Sequence, residues 1–186
     1  GVNVAKVKNG KVYKLRRKLG VVFQDYKLLP KLTVYENVAF ALEVFGMSKS
    51  EMHPKVIKAL ELVGLKSRVK NFPHQLSGGE RRRTEIARCL AIDPKFIMLD
   101  EPFAGVDPIA VEDIQYIVWK LKDKNIGILI TDHNVQETLS ITDRAYLLFE
   151  GRILFEGTPE ELAENSIVRE KYLGRDFVLR KRDFQL

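Results

Sequence analysis

The chain has 186 residues, 45% of them hydrophobic and 30% charged, which is typical of a packed, water-soluble domain and excludes a disordered or fibrous protein. The net charge of +6 comes from 31 basic and 25 acidic residues that are interleaved, so we expect no nucleic-acid partner. One cysteine, no signal-peptide pattern and no run approaching the ~20 apolar residues of a membrane span predict a cytoplasmic protein that reaches the membrane only through a partner.

The first predicted element is a buried strand from Leu19 to Phe23, because this short apolar run is rich in β-branched residues. Apolar residues then recur at helical spacing from Thr33 to Phe45 and from Lys55 to Val63. A Ser-Gly-Gly turn precedes another predicted helix, Glu80 to Ala91. This helix opens with the densest basic run, Arg81 to Arg83, which we interpret as a solvated face, as we do four basic residues of the tail: Arg175, Arg180, Lys181 and Arg182.

Strands and helices alternate in the second half of the sequence, which predicts crossover connections and a largely parallel sheet. We therefore assign the chain to the α/β class, with an α/β core of residues 1–31 and 92–186 and a helical subdomain of residues 32–91. The predicted elements after residue 91 are strands 96–99, 127–130, 145–149 and 152–155 and helices 110–121, 135–140 and 159–173.

Two adjacent carboxylates, Asp100 and Glu101, end the predicted strand that begins at Phe96. Ligands bind at this end of the strands in open α/β sheets. Asp100 would hold Mg²⁺, and Glu101 would polarise a water molecule that attacks a γ-phosphate. The alternative is that an apolar strand simply meets a solvated loop here.

A second candidate site is the turn Leu76-Ser77-Gly78-Gly79-Glu80. Its glycines allow the backbone to approach a phosphate, and the following helix offers free N–H groups. The alternative is an ordinary helix N-cap formed by Ser77. We favour phosphate binding because the carboxylate pair follows at a spacing and in an order that one large family shows.

That family is the ABC ATPases, which the chain resembles in five motifs in the same order. They are Val22-Phe23-Gln24 (Q-loop), Leu76 to Glu80 (signature), Phe96 to Glu101 (Walker B), Gly105-Val106-Asp107 (D-loop) and Thr131-Asp132-His133 (switch histidine). The resemblance implies a P-loop NTPase-like parallel sheet core of the ABC type with an inserted helical subdomain. It also implies ATP and Mg²⁺ as cofactors.

By the same resemblance, Gln24 would contact Mg²⁺ and the attacking water and link the site to a transmembrane permease. His133 would contact the γ-phosphate, so the catalytic set is Glu101, His133 and Gln24, and the metal set is Asp100 and Gln24. Leu76, Ser77, Gly78, Gly79, Glu80 and Asp107 would bind nucleotide in trans, in a dimer with a second nucleotide-binding subunit. Such a protein lies on the inner face of the membrane, bound to its permease.

The sequence departs from the family in one respect, because it contains no G-x-x-x-x-G-K-[ST] phosphate-binding loop. We therefore expect the N-terminal strand and Walker A helix to be missing and the chain alone to be inactive. One open alternative is a non-catalytic folding or interaction module. Another is a DNA-maintenance ATPase, which is disfavoured because Gln24 and Ser77 are too close in sequence for long coiled-coil arms and no sustained heptads occur. In the fold that the resemblance implies, the missing strand lies between strands 127–130 and 145–149. The gap that it leaves would be closed by direct pairing of those two strands, by a strand from residues 1–15, or by a complementing strand from another chain.

Two parts of the sequence resemble different ABC subfamilies. Residues 16–38 are similar to a cell-division ATPase, and the sequence from Arg81 onward is similar to the ATPase of lipopolysaccharide export. A chimera or a lineage with mixed traits would each explain this.

Overall fold

The computed structural model describes residues 6, 7, 10, 12–182 and 184. The chain divides into two compact units, Gly1–Thr131 and Asp132–Leu186. The first contains α1 (Val12–Arg16), β1 (Leu19–Val22), α2 (Val34–Val44), α3 (Lys49–Leu62), α4 (Gly78–Ala91), β2 (Phe96–Asp100), α5 (Pro108–Lys122) and β3 (Gly127–Thr131). The second contains α6 (Val135–Leu139), β4 (Ala145–Phe149), β5 (Arg152–Gly157), α7 (Pro159–Glu164), α8 (Ser166–Val168) and a π-helical turn (Arg169–Leu173).

Three parallel strands form the sheet of the first unit in the order β1-β2-β3. One face is buried: Val22, Ile97 and Leu99 are at most 2% exposed. On the other face the apolar row Val21, Met98 and Leu129 is 36 to 42% exposed. The predicted α/β class with a parallel sheet is confirmed, and its carboxyl edge carries the candidate carboxylates.

Helix α4 is the central helix of the first unit, in contact with α2, α3, α5 and β1. It buries Ile86, Ala87 and Leu90, the apolar face predicted from the sequence. Thr33 is the N-cap of α2 and forms a reciprocal capping box with Glu36. Ser48 is the N-cap of α3, and its backbone amide donates to the Glu51 carboxylate at 3.0 Å. No helix in the described part of the chain is long and apolar enough to span a membrane.

The second unit is built on the antiparallel hairpin of β4 and β5. Leu139, Leu147, Leu162 and Val168 form its buried core. The predicted continuous helix from residue 159 to 173 is wrong, because Asn165 adopts an extended conformation after α7. Its side chain accepts hydrogen bonds from the backbone amides of residues 167 and 168 and so begins a new helix.

Within the two units, β3 pairs with β2 and β4 pairs with β5, and the direct pairing of β3 with β4 stays a prediction. A substitute strand cannot include residues 12–15, which are helical in α1. Residues 1–5, 8, 9 and 11 of that predicted strand lie outside the described residues. A strand from another chain remains a prediction, as does the division into a core and a helical subdomain of residues 32–91.

Candidate active site

The carboxyl ends of β1, β2 and β3 bring three polar segments to one edge of the sheet. Because the strands are parallel and in register, Asp100 lies opposite Thr131, and Gln24 follows the end of β1. The Gln24 side-chain amide donates a hydrogen bond to Glu101 Oε2 at 2.9 Å. The Thr131 hydroxyl donates to Asp100 Oδ1 at 2.6 Å. The structure therefore brings Gln24, Asp100 and Glu101 to the same edge of the sheet, while their catalytic and metal-binding roles stay predictions.

Glu101 has an unusual backbone conformation with φ of 44°, in the left-handed region that a residue with a side chain seldom adopts. Its amide donates to the Thr131 carbonyl at 2.7 Å, which holds this turn against the end of β3. Non-glycine residues in strained conformations often cluster at functional sites. The turn directs the chain out of the sheet directly after the second carboxylate.

The donor set at this edge suits Mg²⁺, which prefers oxygen ligands and usually takes one or two protein carboxylates together with substrate phosphates and water. Asp100 offers carboxylate oxygens, and Gln24 offers an amide oxygen while its nitrogen is bonded to Glu101. Among the described residues, no group of three or more His, Cys, Asp or Glu side chains could hold a metal alone. The residues fit a nucleotide-bound Mg²⁺ better than a metal held by protein alone.

Ser77 caps α4, with its side chain accepting from the Glu80 amide at 3.2 Å while Glu80 accepts from the Ser77 amide at 2.9 Å. The capping interpretation, which we ranked second from the sequence, is thus present in the structure. Phosphate binding by the same turn stays a prediction. Leu76 is 4% exposed and belongs to the core.

Glu80 has a pKa below its ordinary value, chiefly because its carboxylate accepts the Ser77 backbone hydrogen bond. Partial burial opposes this shift, and the ion pair with Arg68 at 2.8 Å supports it. A carboxyl with a lowered pKa in the folded state contributes stability above its unfolded pKa, and this stability is lost as the pH falls through the folded pKa.

We expect Glu80→Gln to lower the free energy of unfolding by about 0.5–1 kcal/mol at pH 7, because the amide keeps the cap acceptor and loses only the charge. The deficit should shrink as the pH falls through the lowered folded-state pKa of Glu80, below which the wild-type carboxyl is protonated in both states. Urea unfolding at pH 7 and at pH 3 measures it. An equal deficit at both pH values would contradict the assigned charge effect.

The two glycines of the turn differ in their surroundings. A Cβ atom at Gly79 would lie 2.3 Å from the Cβ atom of Ala110 on α5. A Cβ atom at Gly78 would meet the Tyr26 hydroxyl at 3.1 Å and the Gly105 carbonyl oxygen at 3.4 Å. Gly79 is therefore required for the close packing of α4 on α5, whatever else it binds.

Asp107 is the N-cap of α5 and accepts a hydrogen bond from the Ala110 amide at 3.0 Å. Pro108 follows at the first helical position, where its missing N–H costs nothing. The structure thus shows a capping role for Asp107. Its predicted place at a subunit interface stays a prediction.

His133 lies in the second unit, with a side chain that is 72% exposed. Its Nδ1 atom is 3.8 Å from the carboxylate of Asp132. Asp132 also accepts from the Asn134 amide at 2.7 Å, which shapes the turn before α6. The histidine is on the surface of its unit, and its contact with a γ-phosphate stays a prediction.

The sequence profile of the ABC transporter family matches residues 2–104. The chain is also 45% identical over 165 residues to the lipopolysaccharide export ATP-binding protein LptB of Haemophilus influenzae, an alignment that covers 88% of this chain and 68% of the relative. The chain belongs to the ABC transporter family.

Other members of the ABC family are similar at the same level. LptB of Escherichia coli is 44% identical with the same coverage, and a probable ABC transporter ATP-binding protein of Azorhizobium caulinodans is 45% identical over 88% of this chain and 59% of its own. These matches do not test the interpretation as a chimera, which stays a prediction.

Solved ABC structures share the fold. CbiO1 of Clostridium perfringens, described as part of the transporter complex CbiONQ, superposes with a TM-score of 0.79 at 31% identity, over 88% of this chain and 66% of its own. The ATP-binding cassette MJ0796, solved as a dimer bound to ADP and Pi, gives a TM-score of 0.74 at 29% identity, over 85% of this chain and 70% of its own. The predicted ABC ATPase fold is confirmed.

The basic run of this ABC chain was misinterpreted from the sequence, since Arg82 is completely buried. It is paired with Glu85 at 3.1 Å and bonded to backbone carbonyls of the segment after β1. Sequence analysis also missed Glu85. An acidic residue three positions after an arginine, inside the apolar stripe of a helix, was the signal that could have identified the pair.

Proposed function

We propose that this chain is part of an ABC ATPase that couples ATP hydrolysis to a transmembrane permease. It would supply the signature turn and the sheet edge that carries Gln24, Asp100 and Glu101. The observation that carries the proposal is the contact of Gln24 with Glu101 beside Asp100, at the carboxyl edge of a parallel sheet. The proximity of these three side chains supports the proposed roles of Glu101 as general base, Asp100 as metal ligand and Gln24 as a polar contact to the metal and the attacking water.

Each residue has a distinct part in the proposed reaction. Glu101 accepts a proton from, and orients, the water that attacks the γ-phosphate. Asp100 and the amide oxygen of Gln24 would hold Mg²⁺, which when bound neutralises the charge of the β- and γ-phosphates. His133 donates a hydrogen bond to the γ-phosphate, which stabilises the negative charge that develops there.

The signature turn would act on the nucleotide of a second subunit. Ser77, Gly78 and the first amides of α4 lie at the positive end of a 14-residue helix, a position that favours a phosphate. MJ0796 was solved as a dimer, which supports a dimeric assembly. In such a dimer we propose that Leu76 to Glu80 and Asp107 lie at the interface. A strand supplied by another chain would pair with the outer edge of β3.

The substrate that we propose is lipopolysaccharide, because the LptB relatives are named for its export and share 44 to 45% identity with this chain. The protein would then lie on the cytoplasmic face of the membrane, bound to its permease. Stimulation of ATP turnover by lipopolysaccharide in a complex with such a permease would support this substrate, and indifference to it would contradict it.

We expect the 186-residue chain alone to bind ATP weakly and to show no measurable ATPase activity, since its sequence has no G-x-x-x-x-G-K-[ST] segment to cradle the phosphates. Calorimetric titration with Mg²⁺ and ATP measures this. Saturation at micromolar ATP, about 8 kcal/mol of affinity, would contradict it.

Mixing with a fragment that carries a phosphate-binding loop is the second half of the experiment. Restored hydrolysis is the expected result. Continued inactivity of a well-folded mixture would instead favour a non-catalytic folding or interaction module.

A further inference from the structure

The segment that carries Gln24 has no regular secondary structure and is largely exposed on its side-chain face. It comprises residues 23–27, between the end of β1 and Leu28. Phe23 is 49% exposed and the Asp25 side chain 84% exposed. A loop of this kind keeps one conformation only when its backbone amides and carbonyls have fixed partners.

Arg82 provides two of these fixed contacts. Its side chain is completely buried, and the two terminal nitrogens of its guanidinium donate to the carbonyl oxygens of Phe23 and, at 2.7 Å, Gln24. A guanidinium is a planar, rigid fork, so it fixes the orientation of two successive peptide groups at once. The ring of Tyr26 lies over this guanidinium, 5.0 Å from its carbon to the ring centre.

Glu85 and Arg88 provide the contacts at the other end of the segment. The Lys27 amide donates to Glu85 Oε1 at 2.7 Å, while the Lys27 carbonyl accepts from Arg88 at 2.7 Å. Glu85 is 1% exposed and pairs with Arg82 at 3.1 Å. Side chains of one helix, α4, therefore bind the segment at both ends.

The same helix begins at the signature turn. Gly78, its first residue, lies against the Tyr26 hydroxyl, close enough that an added Cβ atom would meet it at 3.1 Å. Within the same segment, the Gln24 side-chain amide donates a hydrogen bond to the Glu101 carboxylate. A continuous chain of contacts thus joins the signature turn, the buried ion pair, Gln24 and Glu101.

We propose that Arg82 and Glu85 are positioning residues that attach the 23–27 segment to α4, so that Gln24 and the signature turn move as one body. The value of this for catalysis rests on the proposed function, since Gln24 would meet the Mg²⁺ and water beside Glu101. A shift of α4 on binding a phosphate at the signature turn would then move Gln24 relative to Glu101.

A stabilising role alone does not account for the pair. The cost of removing two charges from water commonly cancels their attraction, and apolar residues of similar volume often replace a buried ion pair without loss of stability. Such residues could not, however, donate to two carbonyls or accept from an amide. An apolar replacement of Arg82 and Glu85 therefore separates a stabilising role from a positioning role. It keeps the packing of α4 but removes the hydrogen bonds that attach residues 23–27 to this helix.

The double variant Arg82→Met/Glu85→Leu tests the proposal in the 186-residue chain. The matched control is Arg83→Met, because Arg83 is the neighbouring arginine of α4 and pairs with Asp113 on α5 instead. Two readouts by nuclear magnetic resonance are needed: hydrogen exchange of the Lys27 amide and the side-chain amide signals of Gln24. Neither requires nucleotide, so the outcome is independent of whether the chain hydrolyses ATP.

In the double variant we expect Lys27 exchange to accelerate at least about tenfold, a change of ~1.4 kcal/mol in opening free energy, and the Gln24 side-chain signals to move toward those of a free glutamine. The control should change neither. If the double variant does not fold, Arg82→Lys keeps a charge beside Glu85 but lacks the fork, and it should move the Gln24 signals in the same direction. Unchanged Gln24 signals in a folded variant, or exchange that rises equally throughout α4 and β1, would overturn the proposal.

Discussion

Replacement of Glu101 by glutamine is expected to lower ATP turnover by about 10²–10⁴-fold, the usual contribution of a general base. The measurement uses the chain assembled with a fragment that bears a phosphate-binding loop. Glutamine has the shape of glutamate and can still accept the hydrogen bond that Gln24 donates at 2.9 Å. Because only the basicity is lost, the affinity for ATP should change by no more than a few fold.

The control for this substitution is Glu43→Gln, which makes the same chemical change at an exposed position of α2. Turnover and ATP affinity should both match the wild type. Loss of ATP binding together with turnover in Glu101→Gln would argue against a general-base role and for a role in nucleotide binding. Turnover that survives the substitution would exclude Glu101 as the base.

Substitution of Gly79 by alanine is expected to destabilise the protein by about 1–3 kcal/mol, the usual cost of overpacking. The new methyl group would lie 2.3 Å from the Cβ atom of Ala110. Both atoms are attached directly to the backbones of packed helices, so neither can move aside as the end of a flexible side chain could. Denaturant unfolding of the purified variant measures the loss.

Ala110→Gly tests the cause, because it removes the atom that the new methyl group would strike. The single substitution should cost up to about 1 kcal/mol through helix propensity. In Gly79→Ala/Ala110→Gly, however, much of the packing loss should be recovered, giving a coupling energy of about 1–2 kcal/mol. Strictly additive losses would show that the contact with Ala110 is not responsible.

Gly78→Ala provides a comparison within the same turn. Its added Cβ atom would meet the Tyr26 hydroxyl at 3.1 Å, and this hydroxyl is the end of a side chain that can shift by a few tenths of an ångström. The loss of stability should therefore be smaller than for Gly79. The two adjacent glycines thus have different structural requirements, although their residue type is the same.

Much of the fold was predictable because its signals are local. The strands at Leu19–Val22, Phe96–Asp100 and Gly127–Thr131 each lie within one residue of their predicted ends, since a short β-branched apolar run between turn residues has few alternatives. The helix predicted up to residue 173 was wrong for the opposite reason. Helical periodicity continues through Asn165, and only its backbone and capping bonds show the break.

The sequence by itself determined which residue types follow each predicted strand, and hence the carboxylate pair, the glutamine and the signature turn. Tertiary structure decided which of them meet. Gln24 and Glu101 are 77 positions apart, and they are in contact because β1 and β2 pair in parallel with Val22 beside Leu99. Arg82 is buried for the same kind of reason. Its carbonyl partners lie 58 and 59 positions away. The local spacing can pair Arg82 with Glu85, but only the packing of α4 on the segment after β1 supplies the hydrogen bonds that make burial of its charge tolerable.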